Sequence, residues 1–74
     1  MRLEYDSQAD ALYISLQKKY VSKSKEVEPG VVVDLDKKGS VVGIEILDVS
    51  KTIRQPELMQ FSVKNVAAMA QRAR

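Results

Sequence analysis

The 74-residue sequence contains neither cysteine nor histidine. Without thiols it can form no disulfide, thiolate nucleophile or zinc ribbon. Without imidazole it lacks the commonest general base and the commonest transition-metal ligand. Its serines therefore have no histidine to activate them. Glycine occurs three times, singly at 30, 39 and 43, so no glycine-rich phosphate loop is present. Tryptophan is absent, and the aromatics are three tyrosines and one phenylalanine. No apolar run approaches the roughly 18 residues of a membrane span. The N-terminus passes directly into alternating residues without a signal-peptide pattern. These features lead us to expect a cytoplasmic protein with no membrane contact and no cofactor.

What is present is a strand pattern. Leu3 and Tyr5 alternate with Arg2 and Glu4; Leu12, Ile14 and Leu16 alternate with Ala11, Tyr13 and Ser15. Joining the two runs through residues 7–10 sets Tyr5 opposite Leu12 and Leu3 opposite Ile14, which gathers the large apolar residues on one face. Residues 18–25, KKYVSKSK, read as a loop leading into a weak strand around 22–27, with lysines suited to an exposed edge. Pro29-Gly30 is a turn signal. Val31 to Leu35 is a β-branched strand. For the next turn two readings arise: a three-residue loop pairing Leu35 with Val41, and a two-residue Lys38-Gly39 loop pairing Leu35 with Val42. The second keeps Val31, Val33 and Leu35 on one face with Val42, Ile44 and Ile46, and is the one expected.

After a strand over 41–47, Ser50 reads as a helix N-cap, and Pro56 as the start of another short helix with Glu57 in its first turn. Ser62 reads as the cap of a last helix carrying Val63, Val66, Ala67, Ala70 and Ala73 at helical spacing. Charge divides unevenly. Residues 1–50 hold seven basic and nine acidic residues; residues 51–74 hold five basic and one acidic.

The stretches "YDSQADALYISL" and "PGVVVDLDKKGSVVGIEILDVS" together resemble domain of unknown function 2283, a family of small prokaryotic domains, over roughly residues 3–50. The match runs in order through Tyr5-Asp6, Ala9 to Ile14, Gly30-Val31, Asp34, Gly39 and Val42 to Asp48. The resemblance implies a small β-rich fold rather than an activity, and an antitoxin-like role as partner of a small toxin. The family usually looks more acidic between its second and fourth strands and in the last turn, where this chain has Lys18, Lys19, Lys23, Lys25, Lys37 and Lys38.

Three groups of residues are candidates for chemistry. Asp6 and Asp10 bracket a turn; the turn reading has Asp6 accepting from amides two and three residues ahead, with Asp10 closing it. Their spacing matches no calcium loop. Asp34 and Glu45 fall diagonally on one sheet face, near Tyr13 and Ser15, where two carboxylates suit a divalent cation or an acid–base pair. The competing reading is a solvated outer face. Gly43 is a position of close approach. The basic tail, Lys51, Arg54, Lys64, Arg72 and Arg74, carries charge for phosphates but only Phe61 as an aromatic, so it reads as a solvated surface rather than a nucleic-acid site.

The resulting expectation is an α+β domain. Two β-hairpins form one twisted, mainly antiparallel sheet of about five strands over 1–50, and a helical segment over 51–74 belongs to the same domain. Structural turns fall at Asp6, Asp10, Pro29, Gly30 and Gly39. The helical segment is expected to cover Leu3, Leu12, Ile14, Val33, Leu35, Ile44 and Ile46, in its own chain or a neighbour's. The preferred function is a non-catalytic interaction module with a protein partner. A small metal-dependent or acid–base enzyme using Asp34 and Glu45 competes with it, as does a weak nucleic-acid binder. A chain this short has a marginal core. A homodimer is therefore expected, with Met59, Phe61, Val63, Val66 and Met69 at its interface.

Overall fold

A computed structural model describes residues 1–69 of the chain. Five strands form one antiparallel sheet: β1 (Arg2–Asp6), β2 (Ala11–Ser15), β3 (Lys23–Glu28), β4 (Val31–Leu35) and β5 (Val41–Leu47), in the order β1-β2-β5-β4-β3. β1 and β2 make one hairpin, β3 to β5 a meander, and β2 joins the two units by pairing with β5. Among the described residues helical structure is minor. It comprises a 3-10 turn over Val49–Lys51 and two single-turn helices, α1 (Gln55–Leu58) and α2 (Val66–Met69). No helix among the described residues is long and apolar enough to cross a membrane.

The first hairpin has the expected register, Tyr5 opposite Leu12 and Leu3 opposite Ile14. Cross-strand pairing then defines two rows on one face: Leu3–Ile14–Ile44–Val33–Lys25, and Tyr5–Leu12–Ile46–Val31. The opposite face carries Glu4–Tyr13–Glu45–Val32–Glu26 and Arg2–Ser15–Gly43–Asp34–Ser24. β3 is an edge strand exposed at all six positions, with a register shift between Glu26 and Glu28.

The β4–β5 turn corrects the two-residue reading. Asp36 and Ser40 close a three-residue loop: the Asp36 N–H donates to the Ser40 carbonyl at 3.0 Å and the Gly39 N–H to the Asp36 carbonyl at 3.0 Å. Asp36 Oδ1 accepts from the Lys38 and Ser40 amides, each at 2.9 Å. Gly39 sits at φ +86°, the left-handed position this loop type reserves for glycine. Leu35 therefore pairs with Val41, yet Asp34 pairs with Gly43. A bulge at Val42 absorbs the extra residue, and the Val42 carbonyl accepts from Leu16 N–H at 2.8 Å. The bulge restores the apolar register on which the two-residue reading rested.

Ser50 is not the N-cap expected of it. The 3-10 turn begins after Asp48, at φ +52° in the left-handed region, and Ser50 lies within the turn. Pro56 occupies the first turn of α1 with Glu57, as its φ restriction favours. Ser62 lies in irregular chain, and α2 starts four residues later. Ala70, Ala73, Arg72 and Arg74 lie outside the described residues, as does the Met69 side chain.

Burial is sparse. Among the described residues the buried apolar side chains are Ala11, Leu12, Val42 and Val49. Leu58 of α1, with Met59 and Phe61, borders a crevice over Leu3, Tyr5 and Leu12. Ile14, Val33, Leu35, Ile44 and Ile46 remain only half-buried. The helical segment thus covers one end of the apolar face rather than the whole of it.

Candidate functional site

Asp34 and Glu45 lie as the sheet register requires, diagonally across the face opposite the apolar one, because Asp34 pairs with Gly43 and Glu45 with Val32. Tyr13, directly opposite Glu45 on β2, sends its ring across Gly43 of β5 to reach β4. Its hydroxyl donates to Asp34 Oδ2 at 3.0 Å. From the other side Ser24 Oγ of edge strand β3 donates to Asp34 Oδ1 at 2.6 Å. One carboxylate thereby ties together side chains from three strands, over a fourth that contributes only a glycine. No hydrogen bond joins Glu45 to Asp34.

Gly43 is the clearance position in this arrangement. A Cβ there would collide with the Tyr13 phenol and lie 3.1 Å from the Ile14 carbonyl oxygen. The close approach expected at Gly43 is made by this chain's own tyrosine. Burial of the phenol, its bond to Asp34, and the charges of Asp34, Glu45 and Glu4 push the Tyr13 hydroxyl above its ordinary value of 10.0. A phenol held protonated is a donor rather than a base. Asp34, with one hydroxyl on each oxygen, links β2 and β3 to β4. Among the described residues no three acidic side chains are grouped to hold a metal ion.

The Asp6–Asp10 turn is a second polar centre. Asp6 Oδ1 accepts from the Gln8 amide at 3.0 Å and the Ala9 amide at 3.2 Å, the local geometry an aspartate supplies to a turn. Asp10 reaches much further. Its φ is +53°, its Oδ1 accepts from Tyr5 Oη at 2.9 Å, and its Oδ2 from Ser50 Oγ at 2.6 Å. The Ser50 amide donates to Oδ1 at 3.1 Å, and the Val49 amide to the Asp10 carbonyl at 3.2 Å. Asp10 thus anchors the 3-10 turn to the first hairpin. The Ser50 hydroxyl holds its carboxyl below the ordinary 3.8, with help from Tyr5 and Lys51 and against the cost of desolvation.

Pro29 and Gly30 form the β3–β4 turn, with Gly30 at φ +83° and its amide donating to Glu26 Oε2 at 3.2 Å. Two Ser-x-x-Lys spacings, Ser15–Lys18 and Ser22–Lys25, lie outside the helices. There the i and i+3 side chains do not share a face as they do on a helix. In the tail, Met59 is 60%, Phe61 69% and Val63 76% exposed, so the single chain does not bury them.

Sequence reasoning missed Ser24 and Asp36 and gave Ser50 another role. Asp36 had a readable signal, since Asp followed by Gly three residues later marks a type I turn closed by a left-handed glycine. The partners of Ser24 and Ser50 lie 10 and 40 residues away, and no local pattern announces them.

The molecule is thus a small five-stranded antiparallel sheet braced by two tyrosine–aspartate hydrogen bonds. The chain belongs to the family described as protein of unknown function DUF2283, whose model matches residues 2–50. Tyr5, Asp10, Tyr13, Asp34 and Gly43 all lie within that span, as does Ser50 at its end. Neither the curated proteins nor the solved structures yield a match.

Proposed function

We propose that the chain is a non-catalytic interaction module whose first partner is a second copy of itself. The observation that carries this is area. The chain exposes 6314 Å², against about 4,600 Å² for a compact monomer of its mass. Its radius of gyration is 14.8 Å, against about 11 Å for a compact domain of this length. Pairing with a second copy would cover part of that excess. The half-buried residues Ile14, Val33, Leu35, Ile44 and Ile46 and the exposed Met59 and Phe61 supply an apolar surface for it. Two-fold pairing is the commonest closed assembly.

The carboxylates favour this reading over an enzyme, because Asp34 is committed to Tyr13 and Ser24. An antitoxin-like role, in which the module occupies a small toxin, is the concrete form implied by the family resemblance. Folding coupled to association makes stability depend on protein concentration. The melting temperature should therefore rise steadily with protein concentration; a midpoint independent of concentration would contradict the reading.

A further inference from the structure

The net charge of +2 conceals a polarised molecule. The β2–β3 connection and the β4–β5 turn meet at one end of the sheet. The Ser22 amide donates to the Leu35 carbonyl at 2.7 Å, and Lys19 Nζ lies 3.6 Å from Asp36 Oδ2. Together they line a shallow groove with Lys18, Lys19, Tyr20, Lys37 and Lys38. Asp36 is the acid in that groove, and its other oxygen is occupied by the Lys38 and Ser40 amides. Arg2 borders an adjoining hollow with Lys18. At the other end of the strands the turns carry Asp6, Asp10, Glu28 and Asp48.

Edge protection accounts for Lys23 and Lys25 on β3. It does not account for Lys18, Lys19, Lys37 and Lys38, which stand on loops. Nor does packing account for Tyr20, which is 96% exposed in the middle of this positive end. An uncovered aromatic among cations is the pairing that single-stranded nucleic acids use, bases stacking on the ring while ammonium groups hold the phosphates.

We propose that this end of the sheet binds single-stranded nucleic acid, with Tyr20 stacking on a base and Lys18, Lys19, Lys37 and Lys38 on the backbone. The site is separate from the apolar face and does not depend on dimerisation. It also differs from the basic tail, where the sequence alone directs attention. The flanking charges suit a flexible strand that bends into a groove better than a flat lipid surface.

Fluorescence anisotropy of the full chain with labelled oligo(U) and oligo(dT) tests the proposal. A duplex, polyglutamate and anionic vesicles serve as competitors. Both single strands should bind at low salt, with log K falling against log[salt] at a slope of about −2 to −3, as three or four neutralised phosphates give. Tighter binding of oligo(U) would identify RNA as the natural source of the strand, and equal or tighter binding of oligo(dT) would admit DNA. Tyr20→Ala should weaken binding by about tenfold, the order expected for one stacked base, and Tyr20→Phe should retain it. The double substitution Lys37→Glu, Lys38→Glu should weaken binding by more than tenfold and flatten the salt slope. All these positions are exposed, and unchanged melting curves would show that the variants fold. Absence of binding at low salt would overturn the proposal. So would indifference to Tyr20→Ala, full binding by the charge-reversed variant, or equal competition by polyglutamate or vesicles.

Discussion

The Tyr13 hydroxyl reaches Asp34, two strands away, at 3.0 Å because Gly43 leaves the strand between them without a side chain. Tyrosine length, glycine clearance and carboxylate position depend on one another. Gly43→Ala should cost about 1–3 kcal/mol, the range for overpacking a fitted contact. In a Tyr13→Ala background the same substitution should cost less than half as much. Denaturant unfolding of the four-member cycle measures the coupling. An equal cost of Gly43→Ala in both backgrounds would show that the ring is not what fills the space.

Acid stability should report on Asp10. Its folded-state carboxyl titrates below the ordinary 3.8, chiefly through Ser50. The stabilisation is therefore present above that value and is lost as pH falls through the depressed folded value. Asp10→Asn should flatten the acid limb of the stability curve below about pH 4. Ser50→Ala should flatten it in part. Thermal melts between neutral pH and pH 2–3 would show it, on the scale of carboxylate linkage. An acid limb identical to that of the wild type in Asp10→Asn would place the titrating group elsewhere.

Much of the sheet was legible because its signals are local or alternate with period two. Leu3, Tyr5, Leu12 and Ile14 admit one register with a common apolar face, and Pro29-Gly30 announces its own turn. The β4–β5 hairpin was harder because two requirements conflict. Asp36 and Gly39 specify a three-residue loop, whereas Val33, Ile44 and Ile46 require the register of a two-residue loop. The bulge at Val42 satisfies both, and neither signal alone reveals it. The polar braces were half legible. Asp34 and Glu45 follow from register, but the reach of Tyr13 to Asp34 and of Ser50 to Asp10 is decided by tertiary packing.

If Asp34 is a structural acceptor, millimolar Mg²⁺, Ca²⁺ or Mn²⁺ should leave the melting temperature unchanged. A cation bound only by the folded chain would stabilise it by about 2.7 kcal/mol at a hundredfold excess over its dissociation constant. A rise in melting temperature that disappears in Asp34→Asn would favour the metal-dependent enzyme instead.

Sedimentation equilibrium at micromolar concentration shows whether two copies of the chain associate. The proposed homodimer should sediment at twice the 8.3 kDa chain mass. Met59→Ser and Phe61→Ser replace side chains that are 60% and 69% exposed in the single chain, so they should shift the mass towards monomer without disturbing that chain's own core. A clean monomer across the micromolar range, still fully folded after truncation at Ser50, would contradict the account. It would show that the apolar face needs neither a second copy nor the tail.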